Sequence, residues 1–174
     1  MERWSWRREE FVGLPDHDDK LSADVLYEVV KLPQEHPEAD MIYRDEDKLD
    51  AGGHRVEPFF KPDWSPEYML AVMYTCHSGV YRRGLIEEIG GFRPGFECSQ
   101  DYDLAPRISE KTERIFHIPK ILYHRRIMAN SAAASAEAKP YALIAAKRAL
   151  SEHLERRGIS AETLERKFTH SLSN

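Results

Sequence analysis

FVGLPDHDD, at residues 11–19, decides the predicted fold, because a short apolar run passes directly into a cluster of acids. Phe11–Leu14 has the pattern of a buried strand, and Asp16, Asp18 and Asp19 follow it. Like charges this close raise one another's pKa unless a cation or N–H donors lie among them. A strand that ends in carboxylates is therefore typical of a site for Mg²⁺ or Mn²⁺. The alternative is that Asp18 or Asp19 caps the next helix and the others are solvated.

Length and charge limit the class of protein. The chain has 174 residues, 41% of them hydrophobic and 32% charged, which predicts one domain, 1–174, with a core of its own. A net charge of −5 gives no general reason to bind nucleic acid, and we expect no such partner. Two cysteines are too few for a disulfide framework or a zinc site.

The location follows from hydropathy. The chain has no apolar run of membrane-spanning length, and its first residues lack the pattern of a signal peptide. We therefore expect a soluble, cytoplasmic protein, with a peripheral position at the inner face of the membrane as the alternative.

The apolar residues alternate between strand and helix periods, which predicts an α/β fold. A helical stripe of Leu21, Val25, Leu26, Val29 and Val30 is predicted to end near Pro33. The later predicted strands are Met41–Tyr43, 74–81, and the two segments 115–118 and 121–123. The later predicted helices run from Ser65 to about Met73, over a short stretch that ends at Gly90-Gly91, from a cap at Ser99, and over 140–157. The buried edge of this last helix is predicted to consist of Leu143, Ile144, Lys147, Leu150 and Leu154. The alanine-rich stretch 130–139 is predicted to be a flexible loop.

Four polar clusters lie where predicted strands end or predicted helices begin, which is where α/β proteins build their sites. They are Asp16–Asp19, Asp45–Lys48, Ser99–Asp103 and Tyr123–Arg126. We interpret Asp45–Lys48 as a charged turn that is solvated or that braces the metal-binding strand from behind.

Six blocks of sequence follow one another along the chain. They are FVGLPDHDD at 11–19, IYRDEDK at 42–48, FFKPDWSP at 59–66, GGFR at 90–93, SQDYDL at 99–104, and HIP at 117–119 with YHR at 123–125. In this order they resemble the family 2 glycosyltransferases, most closely the bacterial enzymes of O-antigen, rhamnan and related surface polysaccharides. The blocks cover roughly residues 9–157 and are more specific than one Asp-x-Asp.

The resemblance implies a partial GT-A fold, which is a Rossmann-like mixed sheet flanked by helices, and a nucleotide-sugar donor with a divalent Mn or Mg ion. Asp16 and Asp18 match the family's metal-binding Asp-x-Asp, and a metal would neutralise charge on a leaving diphosphate. Asp101 matches the catalytic base, which would deprotonate an acceptor hydroxyl for single displacement with inversion. From the residues alone, Asp101 is a helix-dipole partner.

Further site residues come from the same resemblance. His124 matches an additional metal ligand, although a lone histidine at a strand end is more often a hydrogen-bonded surface group. The substrate-binding candidates are Trp64, Gln100, Arg125 and Arg126. The two arginines would hold the diphosphate or form a solvated basic pair, and Trp64 with Tyr68 would line the acceptor cleft or pack in the core. Asp103 is predicted to pair with Arg107.

By the resemblance, the sequence lacks the family's N-terminal nucleotide-binding half, about 90 to 100 residues. We therefore expect a second copy or a partner chain to cover the exposed sheet. Pro15 and Pro106 also depart from the family pattern and put the site geometry in question.

Three functions stay open. The first is a glycosyltransferase that transfers a sugar to a glycan or lipid-linked saccharide acceptor. The second is a non-catalytic remnant or subunit that binds glycan or assembles with a partner. The third is a metal-dependent phosphohydrolase, for which the sequence lacks the expected nucleophile and lysine pattern.

Overall fold

Strands and helices alternate along the chain in the computed structural model, which describes residues 10–75, 77–127 and 140–161. The strands are β1 Phe11–Gly13, β2 Lys20–Leu21, β3 Met41–Leu49, β4 Arg55–Phe59, β5 Val80–Arg82 and β6 Ile115–Arg126. The helices are α1 Val25–Glu35, α2 Pro66–Ala71, α3 Arg83–Glu88, α4 Gln100–Ser109 and α5 Pro140–Arg156.

The described strands form one mixed sheet with the order β1-β5-β3-β6-β2, and β4 also pairs with β3. The central strands β3 and β6 run parallel, whereas the other pairs are antiparallel. Helices cover both faces, because successive side chains of the central strands point to opposite sides and are apolar on both. The predicted mixed α/β sheet flanked by helices is confirmed.

Each face of the sheet has its own apolar core. On one face, Met41 and Tyr43 of β3 pack with residues of α2, α3 and α4, including Met69, Ile86 and Leu104. On the other face, the core consists of Val25, Ala39, Ile42, Val80, Ile118 and Leu122. Because Met41, Ile42 and Tyr43 alternate between the two cores, this strand is buried on both sides.

The predicted charged turn at Asp45–Lys48 is wrong, because β3 continues through it to Leu49. Asp45, Glu46 and Asp47 are buried within the strand. Buried carboxylates are tolerated only where they are paired and hydrogen bonded, and each of these three has such partners.

Two prolines lie within a helix and a strand that the sequence predicts they would end or break. Helix α1 contains Pro33 and ends at Glu35. Strand β6 is continuous through Pro119, because register shifts beside Arg44 and Asp45 of β3 accommodate the residues that lack a partner.

The predicted caps are partly confirmed. The Ser65 Oγ atom accepts a hydrogen bond from the Tyr68 N–H at 3.3 Å, as expected of an N-cap. Ser99 occupies the N-cap position of α4, but its hydroxyl donates to the Ala142 carbonyl of α5 at 2.6 Å instead of capping its own helix.

The last helix differs in its buried face. Ala145, Ala149, Leu150 and Leu154 of α5 are buried, whereas Leu143 and Ile144 are exposed.

The predicted strand over 74–81 is reduced to Val80–Arg82. The predicted loop 130–139 lies outside the described residues, and the single-domain assignment stays a prediction. Among the helices that the structure describes, none has the length and apolar character needed to cross a membrane.

Candidate active site

A group of possible metal ligands forms where the loop after β1 meets the loop before β5. One ligand atom each from Asp16, Asp19 and His77 lies within 4.8 Å of the others. The hydroxyl of Tyr123 on β6 accepts a hydrogen bond from the Asp16 N–H at 3.0 Å and donates to Asp19 Oδ2 at 2.7 Å. The other Asp19 oxygen accepts from the Arg126 N–H at 2.8 Å. The central strand β6 therefore fixes the position of the acidic loop.

Asp16 is held in its charged form. His77 Nδ1 lies 3.4 Å from Asp16 Oδ2. This contact with His77 is the main reason that the pKa of Asp16 is lowered, although burial opposes it, and the positive charge of Arg125 lowers it further. An ionised aspartate beside an imidazole can accept a divalent cation.

A buried arginine supports the loop that presents His77. The Arg44 Nη2 atom on β3 donates to the Ser78 hydroxyl at 3.1 Å and also to the Ser78 carbonyl. The Arg44 Nε atom has no hydrogen-bond partner among the residues described. Burial lowers the pKa of Arg44 to about 10. The hydrogen bonds of Arg44 thus connect Ser78, the residue after His77, to the central strand β3.

Asp101 lies in the first turn of helix α4. The side chain is half-buried, and burial raises its pKa. The charges of His77 and Lys61 lower the pKa of Asp101, whereas those of Asp16 and Glu46 raise it. Since Asp16 and His77 both act on Asp101, the acidic loop and the start of α4 share one electrostatic environment. The charge of Asp16 thus acts on the pKa of Asp101 although the two acids lie 85 positions apart in the sequence.

A buried ion pair, Lys61–Glu46, and the nearby Arg125 form a second charged cluster. Lys61 Nζ lies 2.8 Å from Glu46 Oε2, and the two side chains are 0% and 6% exposed. Arg125 Nη1 lies 3.7 Å from the other Glu46 oxygen. Arg125 therefore belongs to the cluster, whereas Arg126 is exposed and contacts Asp19 only through its backbone N–H.

Two of the three predicted metal ligands lie elsewhere. Asp18 is exposed and is not part of the group formed by Asp16, Asp19 and His77. His124 is buried on the other face of β6, because side chains alternate along a strand. Its Nδ1 atom donates to Asp47 Oδ1 at 2.5 Å, and its Nε2 atom lies 3.0 Å from Ser22 Oγ. The metal-binding roles of Asp18 and His124 stay predictions, with both His124 nitrogens already engaged.

The predicted aromatic and amide residues lie in different surroundings. Trp64 is half-buried and packs against Tyr74, with ring centroids 6.3 Å apart. Tyr68 is exposed and lines an open groove together with Phe60. Gln100 lines a second open groove, beside Phe92.

The predicted pairing of Asp103 and Arg107 is confirmed. Arg107 Nη2 lies 2.5 Å from Asp103 Oδ2 within α4, and Arg93 contacts the other oxygen of Asp103. Asp103 is buried in this pair, so it is a structural residue of the helix that presents Asp101.

His77 and Phe60 are the site residues that sequence analysis missed. The predicted strand over 74–81 contains His77 and hid its position in a loop, and Phe60 lies directly after the last residue of β4. The only sequence signal for Phe60 is its place in the block FFKPDWSP at 59–66.

Two relatives of known sequence match most of the chain. No family model matches the chain. The uncharacterized protein y4gI of Sinorhizobium fredii is 47% identical over 148 residues, which are 84% of this chain and 16% of that protein. The O-antigen biosynthesis protein RfbC of Myxococcus xanthus is 46% identical over 155 residues, 89% of this chain and 12% of that protein. The chain therefore spans less than a fifth of the length of these relatives.

Solved structures decide the fold. Staphylococcus aureus TarS 1–349 superimposes with a TM-score of 0.56 at 18% identity, covering 88% of this chain and 48% of that one. The chain shares its fold with TarS. The structure of TarS 1–349 in complex with UDP superimposes with a TM-score of 0.55 and covers 49% of that chain. The solved structures therefore show the fold, and RfbC is a relative whose name assigns it to O-antigen biosynthesis.

Proposed function

We propose that the chain is the metal- and acceptor-binding part of an inverting family 2 glycosyltransferase. It would transfer a sugar from a nucleotide-diphosphate sugar to a glycan or lipid-linked acceptor of a bacterial surface polysaccharide. The observation that carries the proposal is the group of Asp16, Asp19 and His77, whose ligand atoms lie within 4.8 Å of one another. The name of RfbC supports the acceptor class, and the UDP complex of TarS supports a uridine nucleotide as donor.

The metal would be Mn²⁺ or Mg²⁺, held by Asp16 with Asp19 and His77. Two carboxylates and an imidazole within 4.8 Å fit a divalent ion, and the imidazole favours Mn²⁺ over the harder Mg²⁺. The bound ion would neutralise the charge that develops on the leaving diphosphate. The hydrogen bonds from Tyr123 and Arg126 to Asp19 would orient that carboxylate.

Asp101 would act as the general base. It would accept the proton of the acceptor hydroxyl while that oxygen attacks the anomeric carbon. The bond from the anomeric carbon to the diphosphate breaks on the opposite face, so the configuration inverts. A pKa raised by burial suits this role, because a stronger base takes a hydroxyl proton more readily.

Arg125 would stabilise the diphosphate. Its guanidinium lies near Glu46 at 3.7 Å, a distance that leaves its donors available for forked hydrogen bonds to phosphate oxygens. The buried Lys61–Glu46 pair would hold Glu46, and through it Arg125, in position.

Calorimetry with UDP and Mn²⁺ tests this proposal. We expect binding that needs the metal and that weakens at least about tenfold in Asp16→Ala. Comparing Asp18→Ala with Asp19→Ala identifies the second carboxylate, since only the variant of the true ligand should match Asp16→Ala. Asp24→Ala is the control, because the Asp24 side chain makes no capping hydrogen bond. Absence of UDP binding with both Mn²⁺ and Mg²⁺ would contradict the catalytic proposal.

A non-catalytic subunit that binds glycan or a partner chain is the second candidate. Turnover of UDP-sugars by the purified chain, measured as UDP release with metal present, distinguishes the two candidates.

A further inference from the structure

An open groove lies between two aromatic rings that the catalytic proposal does not use. Its volume is about 590 Å³, and its lining residues are Phe60, Lys61, Pro62, Ser65 and Tyr68. Phe60 is 68% exposed and Tyr68 is 41% exposed. Two large aromatic side chains exposed on the same groove are a typical feature of a binding surface.

The Tyr68 ring is held in place from behind. It packs on Tyr74 with ring centroids 5.1 Å apart. Tyr74 is fully buried, and its hydroxyl accepts a hydrogen bond from the Ser65 N–H at 2.7 Å. Tyr74 also packs edge-on against Tyr43 of β3 at 5.7 Å. A ligand that stacks on Tyr68 therefore meets a ring whose position is already set, so little conformational entropy is lost on binding.

The lining residues present no unneutralised charge to the groove. Lys61 lines it, but its side chain is fully buried and pairs with Glu46 at 2.8 Å. The remaining lining residues are aromatic, proline and serine. Aromatic faces next to hydroxyl and backbone groups fit a ligand with apolar C–H faces and uncharged hydroxyls, which is the chemistry of a neutral sugar ring.

The groove adjoins the candidate active site through Lys61. Lys61 pairs with Glu46 at 2.8 Å, and the other oxygen of Glu46 lies 3.7 Å from Arg125, so the groove floor contacts the cluster that would hold the diphosphate. We propose that this groove is a subsite that binds an uncharged sugar residue of the acceptor by stacking on Phe60 and Tyr68. The inference rests on the proposed function, because it assigns the groove to the acceptor that Asp101 would deprotonate.

Saturation-transfer NMR on the full 174-residue chain tests the subsite. The probes are the neutral methyl glycosides of glucose, galactose, mannose and rhamnose, with methyl glucuronide as the charged counterpart. We expect transfer to at least one neutral glycoside, and an affinity about two- to tenfold lower in Phe60→Ala and in Tyr68→Ala. Tyr27→Ala is the matched control, because Tyr27 is an exposed aromatic residue on α1 that does not line the groove, so the affinity should be unchanged.

Three outcomes would overturn the inference. The first is a wild-type chain that binds UDP with Mn²⁺ but none of the neutral glycosides, which refutes the subsite and leaves the proposed function standing. The second is equal affinity in Phe60→Ala, Tyr68→Ala and Tyr27→Ala, with native circular dichroism in each, since the sugars would then bind elsewhere. Failure of both glycosides and UDP removes the proposed function and the subsite with it.

Discussion

At the scale of single residues, the ionised side chain of Asp101 would serve catalysis but lowers the stability of the folded chain. Burial raises its pKa above the ordinary value of 3.8. The folded state thus retains a proton that the unfolded chain has already released, so the free energy of unfolding falls as the pH rises from 3.8 to the raised pKa. At pH 7 the charged, partly desolvated carboxylate destabilises the fold.

Asp101→Asn is therefore expected to melt at a higher temperature than the wild type at pH 7, and the difference should shrink as the pH falls towards 3.8. Transfer activity should drop by about 10²-fold or more, because the general base is lost. Thermal melts between pH 4 and 8, together with a UDP-release assay, check both effects.

Asp103→Asn serves as the control for Asp101→Asn on the same helix. It should lower the melting temperature, because it weakens the buried contacts of Asp103 with Arg93 and Arg107. An Asp101→Asn variant that is less stable than the wild type at pH 7 would contradict the argument.

At the scale of elements, Asp40 joins three strands where β3 begins. The buried carboxylate accepts hydrogen bonds from Thr112 Oγ1 at 2.6 Å, Arg114 Nε at 2.8 Å and Arg82 Nε at 2.9 Å. Arg82 ends β5, and Thr112 and Arg114 immediately precede β6. Burial alone would raise the pKa of Asp40, but these hydrogen bonds outweigh burial and lower it. The Asp40 side chain therefore links the start of β3 by hydrogen bonds to the end of β5 and to the segment before β6.

We expect Asp40→Ala to reduce the free energy of unfolding by about 2 to 4 kcal/mol at pH 7. Because the folded pKa is lowered, the part due to ionisation is present above pH 3.8 and is lost as the pH falls through the folded pKa. Urea unfolding at pH 7 and at pH 3 measures both terms. A change below about 1 kcal/mol at pH 7 would show that the strands do not depend on Asp40.

At the scale of the whole molecule, metal and nucleotide binding should act together on stability. At concentrations about 100 times Kd, a ligand adds about 2.7 kcal/mol to the free energy of unfolding. For a chain of this size we expect UDP with Mn²⁺ to raise Tm by about 5 to 10 °C. UDP in EDTA and UMP with Mn²⁺ should each give a smaller rise in Tm. The proposed contact with Asp16 and Asp19 needs both a diphosphate and the metal that bridges it to these carboxylates. An equal rise in EDTA would contradict a metal-bridged diphosphate.

The expected second copy or partner chain also belongs to this scale and stays a prediction. Its check is the mass of the purified chain in light scattering, compared with 20.2 kDa for one copy. The absence of a nucleic-acid partner and the cytoplasmic location likewise stay predictions.

The sequence by itself determined the α/β class, several local elements and the order of the site blocks. The strand before Asp16, the Ser65 cap of α2 and the glycine end of α3 were all predictable, because each depends on residues within about four positions of one another. The α/β class followed from the alternation of these local patterns.

Only the tertiary structure decided which polar residues meet. Asp47 pairs with His124, 77 positions away, which places the imidazole on the face of the sheet opposite Tyr123 and Arg125. The buried strand at Asp45–Asp47 depends in the same way on distant partners such as Lys61 and His117. Local patterns carry no information about contacts at such separations, because these are set by strand register and by the packing of the two cores.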